Sequence, residues 1–118
     1  MFPCIGYLKL AKKLAVINDE ASMRSAVSRA YYAAFHKAKL FAENDGIGAK
    51  FSSDAKAHRE VVEFLKKHAD LGKRLLSPKL NRLRINRNTC DYKNSVKEVK
   101  KIARYSIILT EKIFNNIS

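Results

Sequence analysis

The chain has 118 residues, 47% of them hydrophobic, enough to enclose one core and too few for two ordinary domains. Lysine and arginine number 24 against 11 acidic residues, and a formal net charge of +13 favours anionic partners, nucleic acid first. The basic residues run from Lys9 to Lys112 rather than collecting in one arm, which excludes a disordered basic tail and puts the positive surface on the folded body. The two cysteines, Cys4 and Cys90, lie far apart and form no Cys-x-x-Cys pair, so there is no zinc or redox signature, and a reducing cytoplasm is expected. Lys9, Lys12 and Lys13 interrupt the stretch from Met1 to Val16, unlike the unbroken apolar run of a signal peptide or a membrane span.

Glycines number four and prolines two, and apolar residues recur at spacings of three and four, so the expected class is all-α, an antiparallel bundle of about five helices. The first is expected from about Ile5 to Ile17, with Ile5, Leu8, Ala11 or Lys12, and Ala15 on its inner face. A long second helix is expected from Glu20 to about Glu43, alanine-rich and free of Gly and Pro, with Val27, Ala30, Ala34, Ala38 and Phe41 along one stripe. Asn44-Asp45-Gly46-Ile47-Gly48 supplies the turn residues that stop it. Ser52, Ser53 or Asp54 then caps a third helix whose inner positions are Ala57, Val61, Phe64, Leu65 and His68, ending near Gly72. Proline is tolerated in a first helical turn, so a fourth segment is expected from Ser77 or Pro78 to about Arg87, with Leu76, Leu80, Leu83 and Arg87 inward. After 88–94 the last helix runs to about Asn115 with Val96, Val99, Ala103, Ile107, Thr110 and Phe114 inward.

Ser28-Arg29-Ala30-Tyr31-Tyr32-Ala33-Ala34-Phe35-His36, followed downstream by Leu83-Arg84-Ile85-Asn86-Arg87-Asn88 and Asp91-Tyr92, resembles the HEPN family, in particular its short prokaryotic toxin-like branch. The resemblance extends over most of the chain. It implies an antiparallel bundle that forms a homodimer, with the arginine motifs of two subunits meeting in a basic cleft. Many members cleave RNA without a metal, using an arginine, four to six intervening residues and a histidine; others are toxins paired with a small nucleotidyltransferase antitoxin. Arg87 would stabilise the charge developing on phosphorus, and the histidine would transfer protons. No cofactor and no membrane contact are implied. The sequence departs from this pattern, because the positions at those spacings after Arg87 are Tyr92, Lys93 and Asn94. A tyrosine, with its ordinary pKa of ~10, is a poor base at neutral pH.

Arg82, Arg84 and Arg87 crowd within six residues, which suits phosphate recognition by planar bidentate donors, whereas the structural alternative is a surface arginine beside the cap Asn88. Asp91 either anchors Arg87 or caps the last helix, and Tyr92 either acts in the motif or packs its ring. On the second helix Arg29, Tyr32 and His36 share a face, with Ser25 and Ser28 close by. His36 is the candidate to replace the missing histidine, set against a structural histidine hydrogen-bonded at a helix interface. Tyr31 and Phe35 read as core aromatics, and His58 and His68 as residues without a metal partner. Lys66, Lys67, Lys73, Arg74 and Lys79 either extend an RNA footprint or form a solvated face. Three functions follow: a HEPN-type ribonuclease toxin or defence protein, a module that binds RNA or a nucleotidyltransferase without cutting, and a protein regulated by adenylylation of Tyr92.

Overall fold

A computed structural model describes residues 3–45, 50–93 and 98–117. The described chain is all-α: α1 (Cys4–Ala15), α2 (Glu20–Asn44), α3 (Ala57–Lys66), a single-turn α4 (Leu71–Arg74), α5 (Leu76–Tyr92) and α6 (Val99–Ile117). None of these helices is long and apolar enough to cross a membrane.

The spine is α2, which begins where expected because the Asp19 side chain accepts the Ser22 amide at 2.7 Å and so satisfies one of the free amides of the first turn. Six alanines of α2, Ala26, Ala30, Ala33, Ala34, Ala38 and Ala42, are buried, and their small side chains let α1, α3, α5 and α6 approach its backbone closely. The Thr110 hydroxyl of α6 consequently lies 3.0 Å from the Ala30 carbonyl and 2.9 Å from that of Ser106, while Asn86 of α5 donates to the Ser106 hydroxyl at 3.2 Å. This buried polar seam fixes the register of α2, α5 and α6, since any slip would strand its members without partners. Leu65 of α3, Leu76, Leu80 and Leu83 of α5, and Leu109 and Ile113 of α6 close the larger core around Tyr31. A second cluster of Ala26, Val27, Cys90, Val99 and Ala103 lies toward the other end of α2.

The structure corrects several sequence expectations. Arg87 is not the end of its helix: α5 continues without interruption to Tyr92, so Asn88, Asp91 and Tyr92 are helical and Asn88 caps nothing. Two contacts favour the continuation: Arg87 pairs with Asp91 one turn later, and Arg24 of α2 donates to the carbonyls of Cys90 and Lys93 at 2.9 and 2.6 Å, capping the end of α5. Ile5 is exposed, and Cys4, Leu8 and Ala11 form the inner edge of α1. The third helix stops at Lys66, and Gly72 belongs to α4, its amide donating to the Asp70 side chain at 2.9 Å. Lys73 and Arg74 hold structural carbonyls: Lys73 bonds that of Asn116, and Arg74 bonds those of His68 and Ala69. Gly46, Ile47, Gly48, Asn94 and Val96 lie outside the described residues.

Candidate functional site

A pocket of about 280 Å³ opens where α2, α5 and the start of α3 converge. Tyr31, Tyr32, Phe35 and His36 of α2 form one wall, Arg84 and Arg87 of α5 a second, and residues 53–55 with His58 a third. The arginines share a face because three residues of α-helix advance by about 300°, nearly a full turn.

Arg87 sits on an aromatic platform. Its guanidinium carbon is 5.2 Å from the centre of the Tyr32 ring and 5.4 Å from that of Tyr31, within the range of cation–π attraction. Its Nε donates to Asp91 at 3.1 Å, and among the described residues no other hydrogen bond engages the guanidinium, so its terminal nitrogens remain open to an anion. Arg29 approaches the same Tyr32 ring at 5.9 Å. The platform therefore gathers cationic groups that would otherwise repel one another, an arrangement that a bound phosphate would stabilise.

The two histidines of the pocket are held differently. His58 is buried and fully engaged: its Nε2 lies 3.1 Å from the amide oxygen of Asn81, and its Nδ1 lies 2.8 Å from the Tyr31 hydroxyl. An amide oxygen only accepts, so Nε2 carries the proton and Nδ1 accepts from Tyr31. Burial lowers the His58 pKa; the bond to Asn81 opposes that shift and the nearby Arg84 and Arg87 charges reinforce it, so the ring is neutral. Burial likewise raises the Tyr31 phenol to about 12, keeping it a donor. His36 completes a triangle of rings with Tyr7, at 5.9 Å, and Tyr32, at 6.2 Å, themselves 6.3 Å apart, and among the described residues no hydrogen bond occupies its ring nitrogens. Burial first and Lys39 second lower its pKa, leaving a neutral imidazole able to accept a proton at neutral pH.

Tyr32, His36, Arg84 and Arg87 thus come together, Arg29 joins them through Tyr32, and Asp91 anchors Arg87. Arg82 does not join them. It lines a separate groove with Asn86, Lys101, Ile102 and Tyr105, because a step of two residues, from 82 to 84, turns the side chain to the far side of the helix. Asn88 is exposed, Tyr92 is 74% exposed, and neither they nor Ser28 line the pocket. Of the pocket's two histidines the hydrogen-bonded one is His58 rather than His36, and outside the pocket His68 is bonded to the Asp45 carboxylate and the Asp70 amide. The signal for His58 lay in the spacing, since His58, Val62 and Leu65 recur at intervals of four and three and fall on one buried face. Among the described residues no group of three or more His, Cys, Asp or Glu side chains could hold a metal ion. In comparisons with known proteins, the chain matches no family model, no curated protein and no solved structure.

Proposed function

We propose that this chain acts on RNA as a HEPN-type toxin or defence protein, binding a backbone phosphate at Arg84 and Arg87 and cleaving beside it without a metal. The observation that carries this reading is the seating of the Arg87 guanidinium on Tyr31 and Tyr32 in the same pocket as the unbonded, neutral His36. In the proposed reaction His36 takes the proton of a ribose 2′-hydroxyl, and the 2′-oxygen attacks phosphorus. The 5′-oxygen leaves and takes up a proton, giving a 2′,3′-cyclic phosphate and a free 5′-hydroxyl. Arg87 balances the charge that builds on the phosphoryl oxygens, an interaction stronger in the transition state than in the ground state. Tyr92 takes no part, and the role that the resemblance gives to a motif histidine passes to α2. A homodimer placing two such pockets in one cleft is part of the proposal.

A second reading is a module that binds RNA or a nucleotidyltransferase partner without cutting. The ion pair between Arg87 and Asp91 favours it, because the carboxylate offsets part of the charge that catalysis would use. Incubation of total and transfer RNA in EDTA with the protein, Arg87→Ala and His36→Ala decides between them. Cleavage reduced by ~10²-fold or more in each variant supports the enzyme. Cleavage insensitive to His36→Ala would remove that residue from the mechanism, and RNA binding with no cleavage by any of the proteins would establish the second reading.

A further inference from the structure

A second concavity, wider than the Arg87 pocket, lies elsewhere. A groove of about 580 Å³ runs between the C-terminal end of α1 and α6 and shares no lining residue with the Arg87 pocket. Ala15, Ile17, Met23 and Ile107 line it, and Val16, 83% exposed, and Ile108, 48% exposed, stand at its lip. No carboxylate lines it, whereas Lys12, Lys100 and Arg104 do. Lys12 is already bridged to Glu111 at 2.9 Å; Lys100 and Arg104 form no ion pair among the described residues. They lie four residues apart on α6, one helical turn, beside a strip of aliphatic side chains.

We infer that this groove docks an acidic amphipathic helix of a protein partner. An apolar strip excludes water and supplies affinity, and two cations one turn apart match two carboxylates one turn apart on the facing helix. The α6 side of the groove, from Lys100 to Ile108, is ~12 Å long, and a helix of about 16 residues, ~24 Å long, covers it with about one turn beyond each end. Local charge argues against the same groove of a second copy as the occupant, because that copy would bring an identical basic rim with no carboxylate to meet Lys100 and Arg104. The lining is aliphatic and contains no aromatic ring on which a base could stack, which distinguishes it from the Arg87 pocket.

The test is fluorescence anisotropy at ~0.15 M salt with a labelled 16-residue helical peptide carrying leucines on one face and flanking glutamates. The controls are a shuffled peptide of identical composition and phosphatidylglycerol vesicles. The designed peptide is expected to bind at least ~10-fold more tightly than the shuffled one, and Val16→Asp and Arg104→Glu are each expected to weaken it by a similar factor. Both substitutions fall at exposed positions, and circular dichroism checks that the fold is retained. Arg87→Ala is expected to leave peptide binding unchanged, so failure here and failure of the RNA reading are separate results. Equal binding of the shuffled peptide, loss of binding in Arg87→Ala, or no binding at ~100 μM, where an interaction of only ~5.5 kcal/mol would already show, overturns the inference. So does binding to the vesicles alone, or a wild-type dimer that Val16→Asp renders monomeric.

Discussion

Tyr31→Phe isolates the hydrogen-bond chain beneath the Arg87 platform. The substitution keeps the ring and removes one oxygen, so packing in the core around α2 is retained while the buried Nδ1 of His58 loses its donor. Stranding a buried acceptor costs about 1–2 kcal/mol. An unfolding entropy of about 2.1 cal/mol/K per residue gives about 0.25 kcal/mol/K for 118 residues, so Tm should fall by about 4–8 °C. Urea denaturation followed at 222 nm should give the same loss with an unchanged m value. The cycle with His58→Ala then assigns it. That variant alone should cost about 2–4 kcal/mol, through the space left and the orphaned Tyr31 hydroxyl, and Tyr31→Phe added to it should cost less than about 0.5 kcal/mol. Because the phenyl ring still faces Arg87, RNA binding by Tyr31→Phe should stay within about twofold of wild type. Equal costs for Tyr31→Phe in both backgrounds would refute the hydrogen bond, and a large loss of RNA binding in a folded Tyr31→Phe protein would refute a platform built from ring faces.

Arg84→Ala should weaken binding of single-stranded RNA and reduce the slope of log affinity against log salt by ~0.7, one phosphate contact, while Arg82→Ala should leave both unchanged; a salt titration of the two variants checks this. Stability should also depend on mildly acid pH: the folded pKa values of His36 and His58 lie below their unfolded value of ~6.5, so their contribution is present above that pH and is lost as pH falls through the depressed values. Tm should therefore drop between pH 7 and 5.5 and drop less in a His36→Gln/His58→Gln variant, whereas a flat wild-type profile would contradict the neutral assignments.

What could be read from the sequence separates along a physical line. The alanine stripe of α2, its start at Glu20 and the tolerance of Pro78 in the first turn of α5 are local signals, and the structure places each of them as expected. The end of α5 was not local. Asn88 and Thr89 are weak helix formers that read as a turn, and the helix continues through them where Arg24, distant in sequence, reaches across from α2 to hold its last carbonyls. That continuation reorganises the site. On a turn after Arg87, Tyr92 could follow it into a cleft, whereas the continuous helix carries Tyr92 out of the pocket. The arginines already lay on the expected helix, whose 100° step sends Arg84 and Arg87 to the aromatic face of α2 and Arg82 to the groove beside Lys101. His58 was hidden for a related reason: nothing near it in the chain shows that Tyr31 and Asn81 will meet its two ring nitrogens. A buried histidine bonded at both nitrogens can orient its neighbours but has no free lone pair with which to take a proton. Of the two histidines in the pocket, only His36 has ring nitrogens that no described residue engages, which is why the proposed reaction assigns proton transfer to α2 rather than to the motif that follows Arg87.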